Sequence, residues 1–312
     1  MYASHAVSPP FFPDIPRHTL SSLIRQDNPL PYFSFPKLAT QKHLFHAVFT
    51  REGGVSDGPF ESLNVGLAVG DSPVRVRENL ASIRTALEAE ELIGVRQVHG
   101  VDAVVLSKDH PVSGETPPSA DALITDVPGK GLVIKLADCQ GVVLYDPEKN
   151  VVALVHSGWR GNVGNILGKT VRRMEQDFAC RSGALYAAIG PSLGPCCGEF
   201  QGHEGYFPES FRRFQVRENY FDLWAVSCWQ LLEAGVPARN MEVFGVCTRC
   251  RADLFYSYRK EGKVRSGGHA ESITRAGDRH VPQAASCRPG NRSVEGPIRV
   301  NALPNGALKK GG

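Results

Sequence analysis

The chain has 312 residues, 42% apolar and 21% charged, with a formal net charge of +3. This is apolar material for a substantial core in one large or two modest domains, and the charge is too small to argue for nucleic acid. No segment approaches the roughly 18 uninterrupted apolar residues of a membrane span, and the opening residues lack the basic start and apolar core of a secretory signal. The cysteines (Cys139, Cys180, Cys196, Cys197, Cys228, Cys247, Cys250 and Cys287) are scattered, which favours reduced thiols and a cytoplasmic protein over a disulfide framework.

Residues 1–30 carry Pro9, Pro10, Pro13, Pro16 and Pro29 and little periodicity, so they read as a mobile extension. Residues 44–50 read as a strand that runs into Arg51-Glu52-Gly53-Gly54. An Arg beside paired glycines suits an anion clamp, and a solvated Arg on a turn fits the same residues equally well. Ser72 and Pro73 have the character of a helix N-cap and first turn, and Val76, Leu80, Ile83 and Leu87 follow at helical spacing, which predicts an amphipathic helix over 73–90. Two strand-like runs, 92–98 and 101–106, are broken by His99-Gly100. A polar, Pro-rich loop over 108–119 and a further strand over 120–125 precede the central stretch.

That stretch, 131–161, reads GLVIKLADCQGVVLYDPEKNVVALVHSGWRG. Three short Val, Ile and Leu runs (132–136, 141–145 and 151–155) predict strands, and DPEKN has turn composition. A hairpin centred between Pro147 and Glu148 places Cys139 directly opposite His156 on one face, with a one-residue bulge at Asn150 as the alternative register. A second amphipathic helix is predicted over 163–178, a strand over 185–189, a third helix over 220–234 and a strand over 241–246. The loop after 189 carries the vicinal Cys196-Cys197, for which packing is the simpler explanation. Cys247-Thr248-Arg249-Cys250 suggests zinc only weakly, because no second pair stands at finger-like spacing. From about residue 264 onward no apolar period is sustained, and the tail is expected to lie outside the core.

His99, Cys139 and His156 all sit at strand ends. Three ligands with a vacant fourth position is the pattern of a catalytic zinc site. A metal-free Cys139–His156 dyad for amide chemistry and a blue-copper His₂Cys set fit the same residue types, although the chain lacks the HxH pairs that would assemble several copper centres. Each residue taken alone is more simply a packing residue, and that reading weakens for all three together.

The segments FTREGGVSDGPFESLNVGLAVGD, RENL, RQVHG, SADALITDVPGKGLVIKLADC, VHSGWRG, AAIGPSLGPCC and FYSYR, spread over 44–259, resemble the YfiH family, also called the laccase-domain or polyphenol-oxidase-type family and viewed as purine nucleoside phosphorylases. The resemblance implies an α+β fold, a mixed β-sandwich flanked by helices in a single domain over 31–265. It implies zinc, rather than copper, on His99, Cys139 and His156, with Cys139 and His156 also in catalytic roles. It implies phosphorolysis of adenosine, inosine and methylthioadenosine, and it brings adenosine deamination, phenol oxidation and an amide-cleaving Cys-His hydrolase as rival activities. A zinc-stabilised interaction protein without catalysis is the non-enzyme rival. Purine nucleoside and phosphate are the expected partners, with no nucleic acid and no membrane. Arg51, placed among the catalytic residues, Asn64 and Arg160 are the expected contacts to nucleoside or phosphate, the arginines because a guanidinium matches phosphate.

Three departures stand out. Gly141 replaces the family's usual Pro and Gly198 its usual Tyr, changes expected to enlarge or loosen the pocket. After FYSYR the family's TGR-type segment and last apolar strand are missing, so the final strand is expected to be lost and 266–312 to form a divergent tail.

Overall fold

A computed structural model describes residues 12, 14–107, 117–262 and 267–275. In chain order the strands are β1 Ile24–Gln26, β2 Tyr32–Ser34, β3 Leu44–Phe49, β4 Glu91–Gly94, β5 Ala103–Leu106, β6 Ala122–Thr125 and β7 Lys130–Leu136. They continue with β8 Gln140–Asp146, β9 Val151–Ser157, β10 Tyr186–Ile189, the small β11 Gln215–Arg217 and β12 Tyr220–Phe221 pair, β13 Met241–Val243 and β14 His269–Arg275. The helices are α1 Pro36–Ala39, α2 Pro73–Ala86, α3 Trp159–Val163, α4 Ile166–Phe178, α5 Leu223–Glu233 and α6 Tyr258–Glu261.

Two mixed six-stranded sheets, ordered β1-β2-β3-β14-β7-β4 and β13-β10-β8-β9-β6-β5, face each other. Alternation along β9 shows why its apolar run is continuous. Val152 and Leu154 join Leu132, Ile134 and Phe33 between the sheets, whereas Val151, Ala153 and Val155 pack under Ile166, Val171 and Met174 of α4 and Trp224 and Leu231 of α5. A strand buried on both faces loses the polar half of its alternation. On the outer face of the other sheet, Ile83 of α2 packs on Phe49 and Val133. The layers are therefore helix, sheet, sheet and helix, the α+β sandwich that the family resemblance implies.

Two expectations need correction. The last strand is not lost: β14 lies at the centre of its sheet, paired antiparallel with β3 through Ser272↔Ala47 and with β7 through Ser272↔Val133. Its buried side chains are largely polar (His269, Glu271, Ser272 and Thr274), so an apolar-periodicity test misses it. Backbone pairing on both sides secures the strand, yet Glu271 and both His269 ring nitrogens remain buried without hydrogen-bond partners. The N-terminal extension is likewise partly packed: Ile15 and Leu23 are buried, and β1 pairs with β2. Residues 1–11, residue 13 and the tail from 276 lie outside the described residues.

The helix predicted over 163–178 is α4, which begins at Ile166, and a short α3 precedes it, separated from it at Asn165. That residue takes a left-handed conformation (φ 54°) and caps α4 by accepting from the Gly168 amide.

Candidate functional site

The β8–β9 hairpin supplies two of the three candidate ligands. Its register is Gly141↔His156 and Asp146↔Val151, two residues away from the expected pairing of Cys139 with His156. The turn spends all of residues 147–150, with Asn150 at φ 54°. A two-residue slip keeps every side chain on its own face, whereas a one-residue slip would have inverted the hairpin. Cys139 and His156 thus remain on the inter-sheet face and meet diagonally. Each has a glycine for a cross-strand neighbour. A Cβ on Gly158 would lie 2.9 Å from the Cys139 sulfur and 3.1 Å from His99 Cδ2, so that glycine leaves the room in which the ligands converge.

His99 comes from the loop after β4 in a left-handed conformation (φ 59°). Its Nε2 lies 3.9 Å from Cys139 Sγ, and its ring meets that of His156 edge-on, with centroids 4.8 Å apart. The potential donor atoms of His99, Cys139 and His156 all fall within 4.8 Å of one another.

Asp121, at the head of β6, is the residue sequence reasoning missed. Fully buried, its Oδ1 accepts from His156 Nδ1 at 2.7 Å and the His99 amide at 2.9 Å, and its Oδ2 accepts from the Gly100 amide at 2.6 Å and the Val98 amide at 3.2 Å. One carboxylate thereby fixes the ring of one ligand and the backbone of another. Burial works to raise the Asp121 carboxyl, but the bonds from His156 and from the Gly100 and His99 amides more than offset it and hold the group below its ordinary value. A lone Asp heading the apolar run ALIT was the available signal.

The triad is also electrostatically coupled. Burial pushes the Cys139 thiol up, but the charge of His156 and hydrogen bonds from His156 and His99 outweigh it, bringing the thiol down to about 6. Burial opposes protonation of His156, while the Cys139 thiolate and Asp121 raise it to about 9. Without a metal, each of the two groups thus favours the charged form of the other. With Nδ1 committed to Asp121, His156 is left its Nε2 to offer, the arrangement typical of metal-ligating histidines.

The three side chains line a cavity of about 700 Å³, within the range of small-molecule sites. Its walls include Trp159, Phe200 and Tyr258 as ring surfaces and Arg160, Arg259 and Lys135 as cations. Arg160 stacks on Trp159 at 5.0 Å and, among the described residues, makes no ion pair. Asp138, beside Cys139 and at φ 79°, is pinned by Thr248 Oγ1 at 2.7 Å, by the Arg259 amide at 2.6 Å and, through its carbonyl, by the Leu193 amide at 2.9 Å.

Arg51 and Asn64 are not brought to this cavity. Arg51 Nη1 donates to Glu261 at 2.7 Å and to the Ala252 carbonyl at 2.8 Å, Nε donates to the Glu61 carbonyl at 3.0 Å, and the guanidinium lies 4.2 Å from the Tyr256 ring centre. It lines a separate cleft with Glu52, Glu61, Asp253, Lys260 and Glu261. Asn64 is fully buried, donating to Asp71 at 2.8 Å and accepting from the Gly66 and Gly268 amides at 2.9 Å each. Through those glycines, both of which line the cavity, it shapes the wall.

Neither unusual glycine opens the pocket. The space beside Gly141, and beside Gly190 across from it, is filled by the Glu271 carboxylate, and a Cβ at Gly198 would come within 2.6 Å of the Phe221 carbonyl.

The profile of the family described as multi-copper polyphenol oxidoreductase laccase matches residues 45–276. The chain is 32% identical over 253 residues to a purine nucleoside phosphorylase of Bacteroides thetaiotaomicron, covering 75% of this chain and 94% of that one. It is 31% identical over 244 residues to adenosine deaminase RL5 of an unknown prokaryote, covering 70% and 90%. The crystal structure of YlmD from Geobacillus stearothermophilus superposes with a TM-score of 0.72 at 30% identity, covering 82% of this chain and 100% of that one.

Proposed function

Because the chain belongs to the laccase-domain (YfiH) family, we propose that it is a zinc-dependent purine nucleoside phosphorylase acting on adenosine, inosine and methylthioadenosine, with adenosine deamination as a second activity of the same pocket. The observation that carries this reading is one cavity holding an open His₂Cys donor set, three aromatic walls and a cation that has no carboxylate partner among the described residues. His99, Cys139 and His156 fit zinc in residue type and mutual distance, and the Asp121 tie to His156 supplies the outer support such sites need. The laccase name fits less well, because the two metal-competent clusters among the described residues contain only two histidines, too few for several copper centres.

In phosphorolysis the C1′–N9 bond breaks, its electron pair leaves with the base, which takes up a proton, and a phosphate oxygen bonds C1′. Positive charge builds on the ribose in between. Trp159, Phe200 and Tyr258 offer ring faces to the purine and exclude water. Arg160, at the start of α3 and lining the cavity, would hold phosphate by charge-assisted bonds and so set the nucleophile's position. Asp121 keeps the His156 ring in one orientation throughout. Zinc bound by the triad would supply Lewis acidity toward a substrate heteroatom.

Ribose 1-phosphate formation from adenosine and inosine, measured against phosphate concentration, tests the reading. The parent should depend on phosphate, and Arg160→Ala should raise the phosphate KM roughly ten- to a hundredfold, the worth of one charge-assisted contact. Base release that proceeds equally well without phosphate refutes phosphorolysis. Ammonia measured in the same adenosine reactions decides the deaminase activity.

A further inference from the structure

A second cluster of soft ligands lies outside the triad. β10 and β13 are parallel neighbours (Ile189↔Val243), so the chains leaving them emerge from the same end of the sheet, and a further parallel bridge, Ser192↔Cys247, keeps the two loops together. The first loop carries Cys196 and Cys197 and the second Cys247 and Cys250. Their sulfurs converge: Cys196 lies 3.7 Å and Cys197 3.6 Å from Cys250, and all four lie within 4.8 Å of one another.

These separations are too long for a disulfide, whose S–S bond is about 2.05 Å. They approach the edge of a zinc tetrathiolate, about 3.8 Å for Zn–S bonds of about 2.3 Å in a tetrahedron. We propose that Cys196, Cys197, Cys247 and Cys250 form a second, structural zinc site that clamps the β10 and β13 loops together.

Four protein ligands leave no position for substrate, which separates this site in kind from the open His₂Cys triad. Cys197 and Cys247 are buried while Cys196 and Cys250 are exposed, so the cluster has an inner anchor and an outer entry path for the ion. A tetrathiolate carries net negative charge, and Arg249 Nη1, 3.4 Å from Cys197 Sγ, is placed to offset it.

The clamp also reaches the pocket. Leu193 and Thr248, one on each loop, hold Asp138 beside Cys139, and the Thr248 amide donates to the Ser192 carbonyl at 3.0 Å. The second ion therefore fixes the wall from which the first takes its sulfur.

The test is metal stoichiometry on the full chain purified under reducing conditions with zinc supplied. The parent should hold two zinc ions per chain. Cys247→Ser with Cys250→Ser should hold one fewer, and the His99→Ala, Cys139→Ala, His156→Ala variant, which leaves the tetrad intact, should retain one that a mercurial releases as four thiols react. A parent with a single zinc that the triple variant loses overturns the tetrad and leaves the nucleoside site standing. Two zinc ions retained without Cys247 and Cys250, iron in place of zinc, or disulfide-bonded cysteines in the reduced preparation each overturn it as well.

Discussion

Replacing Asp121 by Asn keeps the shape and removes one acceptor, which makes it a sharp probe of how the triad is held. The carboxylate accepts four hydrogen bonds, from His156 Nδ1 and the amides of Val98, His99 and Gly100. A carboxamide has a single oxygen, so whichever way it turns, two of these buried donors face an NH₂ group. At about 1.5 to 3 kcal/mol for each hydrogen bond to a charged group, the metal-free protein should lose about 3 to 6 kcal/mol of unfolding free energy, read from urea melts. Zinc affinity at the His₂Cys site should fall about ten- to a hundredfold, read by competition with a chromophoric chelator. The Asp121 carboxyl is held below its ordinary value, so its contribution is present above that value and is lost as pH falls through the depressed one. The Asn variant should lack that acid limb. Parent-like zinc affinity in a folded Asn variant would show that Asp121 does not orient His156, and the reasoning would be wrong.

Burial raises the Glu271 carboxyl to about 8, so its stability contribution is present below about 4.5 and is lost as pH rises to about 8, at up to about 1.4 kcal/mol per pH unit; Glu271→Gln should flatten that slope in melts taken from pH 4 to 9. Arg51→Ala breaks a mostly buried pair with Glu261 and should cost about 3 kcal/mol in chemical denaturation while leaving zinc content and phosphate KM unchanged. A raised phosphate KM there would restore Arg51 to the site. Gly158→Ala has ordinary backbone torsions, so its effect should be steric, with loss of zinc from the triad in a protein that keeps its circular dichroism spectrum.

The parts legible in the sequence were those whose burial is uniform. β8 and β9, apolar on both faces, announce themselves as runs of Val, Leu and Ile, and α2 shows its 3.6-residue stripe. The register of the β8–β9 hairpin was not legible, because composition marks a turn without saying whether it spends two residues or four. β14 was hidden for the opposite reason: its place between β3 and β7 is set by backbone pairing, and a polar side-chain pattern carries no trace of that. The cysteine tetrad was invisible because its halves lie some fifty residues apart in sequence and meet only through the parallel pairing of β10 with β13. Arg51 and Asn64 show the limit of motif reading, since their hydrogen-bond partners come from segments far along the chain, Ala252 and Glu261 for one and Gly268 for the other.

The central seat of β14 has a consequence for biosynthesis. β3 and β7 cannot be joined until residues 269–275 have been translated, and at about 5 to 20 residues per second the wait after β7 leaves the ribosome is on the order of 10 s. Through that interval each nascent strand exposes a hydrogen-bonding edge beside apolar surface, a template for pairing with a neighbouring polysome's product. Ribosome stalling or premature termination upstream of residue 269 should therefore yield inclusion bodies rather than a shortened soluble enzyme, and holdase chaperones should be found on the nascent chain until its final strand slots in.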